Sequence, residues 1–267
     1  MNLNRGPIFL RASFKVLTKD HFMRCITILL NFFLAILLAT NATTLTASDT
    51  VSLIGDRGLE LWRQPTAEWL VASDAKLNKE NPKLLIAVAG NCVLINDVDG
   101  RTKNLISQQE FGDVQIHVEW MVGEGSNSGV YVMGRYEVQV FDSFGIEKPQ
   151  SSHAGGIYQR WDSARGKGKE GYEGHAPLVN ASKRPGEWQT YDITFRAPRF
   201  AADGRKTANA VFVKVLQNGQ LVQENIEVTG PTRSALYERN PEKPTGPLML
   251  QGDHGPVAYR NITVTPL

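Results

Sequence analysis

The sequence predicts an all-β fold, a β-sandwich or jelly roll forming a single domain behind an N-terminal leader. Three observations predict it. Short runs alternate apolar and polar residues, Gly, Asn and Pro punctuate them at regular spacing, and few segments carry a helical period. No repeat of 20–50 residues recurs, which disfavours a propeller or solenoid.

The leader comes first. Residues 26–39, ITILLNFFLAILLA, form an apolar run preceded by Lys15, Lys19 and Arg24 and followed by small residues (TNATTLTAS). Basic, then apolar, then small is the signal-peptide order. Fourteen residues fall short of the roughly 20 of a membrane-spanning helix, although an uncleaved anchor stays open. The stretch before the run is long for a signal peptide. Met23 opens a more ordinary one, so the expected start is Met23, with cleavage after Ala42 or Ala47. Cys25 follows Met-Arg and lacks the context of a lipid-attached cysteine. Residues 1–47 are thus read as leader and 48–267 as the exported domain, periplasmic or extracellular.

Charge changes sign once the leader is set aside. The chain has 29 Lys/Arg and 27 Asp/Glu, of which residues 1–47 hold five and one, leaving 24 against 26, a net of −2. Such a domain has no basic surplus for nucleic-acid phosphates. It keeps one cysteine, Cys92, so no intrachain disulfide is available. The sequence around it, NCVLIN, reads as a small buried hydrophobe.

Along the domain, LLIAVAGNCVLI (84–95) reads as two strands meeting at Gly90-Asn91, and residues 102–110 hold the best short helical period. DVQIHVEWMV (113–122) alternates Val114, Ile116, Val118 and Trp120 against Gln115, His117, Glu119 and Met121. GVYVMG and RYEVQVFDS continue the pattern, as do GGIYQRW, WQTYDITFRAP, GPLMLQG and PVAYRNITVTP. NAVFVKVLQNGQLVQENIEV breaks at Asn218-Gly219, a strong hairpin signal. The Gly-rich, charged segment DSARGKGKEGYEGHAP (162–177) is an excursion at the sheet's rim, of a length that often serves function.

No GxxxxGK[ST], GxGxxG after a strand, GxSxG, CxxC or HExxH occurs. His117 and Glu119 share a strand face as two metal ligands would, a spacing equally common on solvated sheet faces. The stretch SNSGVYVMGRYEVQVFDS (126–143) is more informative. Side chains alternate faces along a strand, so Arg135, Glu137 and Gln139 form one polar face while Tyr136, Val138 and Val140 form the other. Asn127 and Ser128 lead in, and Gly129 lets another group come close. Donors and acceptors at about 7 Å spacing suit the hydroxyls of a sugar ring. Asp142 has the opposite parity, where a bulge re-aims it. Near the C-terminus, Gln251 and His254 occupy a Gly-flanked turn (GDHG) suited to general acid or base work. Trp188, in RPGEWQTYDITF, is either a sugar-stacking platform or core.

NSGVYV, YEVQVFDS, GGIYQ, NASKRPGEWQTYDITF, NGQLVQEN and LMLQGDHGPVAYRNITV, in this order over about residues 52–267, resemble the 3-keto-disaccharide hydrolase family. The resemblance implies a concanavalin-like jelly roll, export, and cleavage of glycosides already oxidised to a ketone at C3. Such a ketone acidifies the C2 hydrogen. A base removes it, the enolate expels the glycosidic oxygen from C1, and water adds. The site then needs a base, donors for the enolate oxygen and an acid for the leaving group, unlike the paired carboxylates of ordinary glycosidases.

On this reading Glu137 or His254 serves as base or acid and Asp142 orients a partner. Asn127, Ser128, Arg135, Gln139, Gln251 and Trp188 bind substrate, an oligosaccharide or glycoside. A divalent cation polarising the ketone would take Asp142, His254 and Glu137 as ligands. The alternative is a non-catalytic carbohydrate-binding module of the same fold, with aromatic platforms such as Trp161 or Trp188 and no required base. A structural or adhesive exported domain with a merely solvated polar face is a third.

Overall fold

The computed structural model describes residues 49–267, apart from 56, 57 and 98. The expected leader, its start at Met23 and its cleavage point lie outside the described residues. Among the described residues no helix is long and apolar enough to cross a membrane.

Strands account for nearly all the regular structure. They run β1 (Val51–Ser52), β2 (Leu70–Leu77), β3 (Leu85–Ile95), β4 (Leu105–Phe111), β5 (Val114–Val122), β6 (Asn127–Val132), β7 (Tyr136–Phe141) and β8 (Arg160–Trp161). They continue as β9 (Gly171–Tyr172), β10 (Gln189–Arg196), β11 (Arg199–Phe200), β12 (Lys206–Ala208), β13 (Ala210–Gln217), β14 (Gln220–Val228), β15 (Gly246–Leu250) and β16 (Val257–Pro266). An eight-stranded sheet has the order β14-β13-β10-β5-β16-β3-β2, with β1 also on β16, and a four-stranded sheet has the order β4-β15-β6-β7. Every pairing is antiparallel.

The two sheets face each other across one core. Val114, Ile116, Val118 and Trp120 of β5 and Tyr191, Ile193 and Phe195 of β10 meet Val130 and Val132 of β6, Tyr136, Val138 and Val140 of β7, and Leu248 and Leu250 of β15. This is the jelly-roll-type β-sandwich that the alternation predicts. Each large side chain withdrawn from water contributes about 1.5–3 kcal/mol, which is why apolar parity fixes the inner face of every strand. Hairpin β13–β14 turns at Asn218-Gly219, both with positive φ (51° and 78°), as the Asn-Gly signal requires.

Three local expectations, the break within β3, the burial of Cys92 and the helical period at 102–110, are corrected. β3 is one continuous strand. Ala72 of β2 pairs with both Val93 and Ala89, so residues 90–92 are expelled as a bulge, where Gly90 packs so closely on Ser73 that a Cβ would come within 2.8 Å of its Cα. Cys92 therefore points outward and is exposed, its thiol 3.3 Å from Ser73 O, and is no buried hydrophobe. The segment with the helical period is instead strand β4, because pairing with β15 satisfies its backbone and buries Leu105 and Ser107; tertiary pairing overrides a weak local preference. The 162–177 excursion carries some structure of its own, a 3₁₀ turn at Ser163–Arg165 and strand β9 against β8.

Candidate active site

The site lies on the outer face of the four-stranded sheet. Hairpin β6–β7 turns at Met133-Gly134, both with positive φ, and its register sets Gly129 opposite Gln139 and Tyr131 opposite Glu137. Even-numbered residues of β6 fill the core, which leaves Asn127, Gly129 and Tyr131 outside; β7 adds Glu137 and Gln139. Gly129 has a reason to be glycine. A Cβ there would fall against Glu137 Oε1 and lie 2.9 Å from both Glu137 Cδ and Tyr131 Cε2. The glutamate lies over the glycine.

The far side of β7 is lined by residues 155–158. Gln139 N–H donates to Gly156 O (2.9 Å), Gly155 N–H to Gln139 O (3.0 Å) and Tyr158 N–H to Glu137 O (3.1 Å), which brings Tyr158 alongside Glu137. Next, Arg233 N–H donates to Gln159 O (2.9 Å) and carries Arg233 and Ser234 to the same place. From β15 and the turn after it come Gln251, whose N–H donates to Gly129 O (3.0 Å), and His254, whose carbonyl accepts from Asn127 N–H (3.2 Å). Together Asn127, Tyr131, Glu137, Gln139, Tyr158, Arg233, Ser234, Gln251 and His254 line a cavity of about 160 Å³.

Its electrostatics are unusual for a sheet surface. Glu137 is only 2% exposed and Gln139 only 3%. Burial pushes the Glu137 carboxyl up to about 8; the Tyr131 hydrogen bond opposes that shift and the charge of Asp253 adds to it. Tyr131 itself is pushed well up by burial and by Glu137. Glu137 Oε2, Asn127 Oδ1 and Gln251 Oε1 are buried with no hydrogen-bond partner. Orphaned buried oxygens cost about 1–3 kcal/mol each, so the amide oxygens of Asn127 and Gln251 point to a ligand that donates, and the protonated Glu137 carboxyl to one that also accepts. His254 Nδ1 lies 2.5 Å from Asp253 Oδ1 and 3.2 Å from Gln251 Nε2. With Nδ1 turned to Asp253 and Gln251, Nε2 is the ring nitrogen left for a ligand.

Several expected site residues are placed elsewhere. Arg135 precedes the strand rather than joining its polar face. Its guanidinium donates to the carbonyls of Tyr237 (2.8 Å), Asn240 (3.0 Å) and Pro241 (2.7 Å), clamping the loop that follows Arg233 and Ser234. Ser128 faces inward, its hydroxyl 2.7 Å from Gln251 O and 2.7 Å from Tyr259 Oη; it positions Gln251 rather than touching the cavity. Asp142 accepts from Gly125 N–H at 2.9 Å, so the set Asp142, His254 and Glu137 does not assemble around a cation. Among the described residues no three His, Cys, Asp or Glu side chains group as metal ligands. Trp188 is on the outer face of the eight-stranded sheet, on the far side of the sandwich. It packs with Ala72, Met121 and Ala258, with Arg260 4.0 Å over its ring. On that same face His117 is tied to Asp192 (2.7 Å), and Glu119 to Arg260 (2.7 Å) and Asn261 (2.6 Å).

The residues that sequence reasoning missed are Tyr131, Tyr158, Arg233, Ser234 and Asp253. Tyr131 was legible, since it shares the parity of Asn127 and Gly129, and Asp253 stands within GDHG. Tyr158, Arg233 and Ser234 come from irregular segments with no period to read.

The family model described as the 3-keto-alpha-glucoside-1,2-lyase-like domain matches residues 49–265. A crystal structure titled "putative glycosyl hydrolase" from Parabacteroides distasonis is 28% identical, with 82% of this chain and 84% of that one covered and a TM-score of 0.55. Two further structures from that organism with the same title are 20% and 14% identical. They cover 75% and 82% of this chain and 100% and 94% of theirs, with TM-scores of 0.45 and 0.46. No curated protein matches the chain.

Proposed function

Because the chain belongs to the 3-keto-alpha-glucoside-1,2-lyase-like domain family, we propose that it cleaves the glycosidic bond of 3-keto-glycosides by C2 proton abstraction, elimination and hydration. Family membership and the glycosyl-hydrolase neighbour already make it a carbohydrate-active enzyme of hydrolase or lyase type. The observation that carries the finer reading is Glu137. It is a buried carboxyl with an unpartnered oxygen, in one cavity with His254 and with the orphaned amide oxygens of Asn127 and Gln251.

Held up to about 8, Glu137 keeps its proton at neutral pH and is the acid. His254 Nε2, with Nδ1 engaged by Asp253, is the base that takes the C2 hydrogen. The electrons left behind move into an enolate at C3, for whose oxygen Tyr158, Ser234 and Arg233 offer donors. As the ketone re-forms, the C1–O bond breaks and Glu137 gives its proton to the departing oxygen. Water then adds to C1 of the resulting enone and a proton returns to C2. Asn127 and Gln251 accept from ring hydroxyls, and Gln139 adds a further amide at the cavity wall. Export of the domain, expected from residues 26–39, is part of the same proposal.

A non-catalytic module is the less well supported alternative. Of the aromatic platforms such a module would use, Trp188 is on the far side of the sandwich and Trp161 stands beside the cavity-lining Arg233, but such a module needs no ionisable pair. The deciding experiment incubates the purified protein with a 3-keto-disaccharide and follows release of the unmodified sugar. Wild type should release it, and E137Q and H254A should each lose at least a hundredfold in kcat while keeping the fold. Wild-type rates in both variants would overturn the assignment, and no release by folded protein that still binds the ketone would favour the module. Running the assay with a chelator decides whether a divalent cation takes part.

A further inference from the structure

The cavity has room for one sugar ring and not two. Its volume, about 160 Å³, lies below the roughly 300 Å³ at which pockets for larger ligands begin. With a disaccharide the second ring must rest outside, at the mouth. One wall of the cavity leads to an exposed aromatic side chain. Tyr158 lines the cavity, and three residues later Trp161 stands on the short strand β8, paired with Gly171 of β9. Among the described residues Trp161 is the exposed tryptophan, 36% accessible, and the Arg233 guanidinium is 3.8 Å over its ring.

Arg233 therefore touches both places, the cavity wall and the indole. No carboxylate pairs with it among the described residues, so its N–H groups remain available to hydroxyls. The hairpin beneath is braced. Arg160 donates to Glu173 (3.2 Å) and to Thr229, and Arg160 and Arg165 stack on Tyr172 at 5.0 and 4.3 Å. A braced hairpin costs a ligand little ordering entropy.

We propose that Trp161 and Arg233 form the subsite for the leaving sugar, the indole surface that Arg233 does not cover stacking the second ring and the guanidinium bridging the two units. This rests on the reading of the cavity given above. It makes Trp161 a determinant of specificity for disaccharides over glycosides with a small leaving group.

The test compares kcat/KM of the full chain for a 3-keto-disaccharide and for the matching methyl 3-keto-glycoside, in wild type, W161A and W161F. Stacking lost should cut the preference for the disaccharide about tenfold in W161A, through KM, and W161F should restore most of it. An equal loss on both substrates would mean that Trp161 merely holds Arg233, and an unchanged preference would mean that the second ring docks elsewhere; either overturns the subsite. If wild type turns over neither ketone, the cavity reading fails on its own. Calorimetry with the unoxidised disaccharide and its monosaccharide then judges the subsite. A tenfold weakening in W161A confined to the disaccharide supports it, and no difference refutes it.

Discussion

Replacing Glu137 with glutamine should make the protein more stable, and increasingly so as pH rises. The unfolded chain releases this proton near the ordinary 4.5, whereas the folded protein holds it up to about 8. Between those values the native state binds one proton more than the unfolded state, so stability falls with increasing pH. The window spans 3.5 pH units, and at about 1.36 kcal/mol per unit the burial costs roughly 5 kcal/mol by pH 8. Between pH 5 and pH 7 it costs close to 3 kcal/mol, worth about 6–12 °C in Tm for a domain of this size. Glutamine fills the same space over Gly129 and does not titrate. Urea unfolding of wild type and E137Q at pH 5, 6, 7, 8 and 9 singles out this group, because titrations not coupled to it cancel in the difference. The stability gap should widen in favour of E137Q up to pH 8 and then level. A gap that stays flat from pH 5 to pH 8 would refute both the buried protonated carboxyl and its role as acid, since a group ionised at pH 7 has no proton to give.

Other outcomes follow from the same geometry. Wild-type kcat/KM should fall above pH about 8 as Glu137 ionises, and D253N should move that limb to lower pH, because the Asp253 charge helps hold the proton on Glu137. D253N should also slow turnover at least tenfold by freeing His254 Nδ1; a profile that does not move would remove Asp253 from the site. G129A should drive the Glu137 carboxyl from its place, costing about a hundredfold in kcat/KM, as a displacement near 1 Å does, and about 1–3 kcal/mol of stability from overpacking. Steady-state kinetics and a melt check both; wild-type kinetics in G129A would mean that Glu137 need not lie over the glycine.

The sequence by itself determined what is local. A strand's period of two separates inner from outer residues without knowledge of any partner, so the parity of Glu137 and Gln139 was legible, as were the Asn218-Gly219 hairpin and the Gly-flanked turn bearing Gln251 and His254. Tertiary structure decided what depends on segments distant in the chain. Arg135 has the right parity on paper, yet it precedes the strand, and its guanidinium serves carbonyls about a hundred residues further on. Ser128 answers to Gln251 and Tyr259, and Trp188 went to the opposite face of the sandwich. Tyr158, Arg233 and Ser234 reach the cavity from irregular backbone held by hydrogen bonds to strand ends and neighbouring loops, and no periodicity encodes that. The proton on Glu137 is the sharpest case. Any sequence shows a carboxyl there, and only burial against Gly129 and Tyr131 makes it an acid at neutral pH.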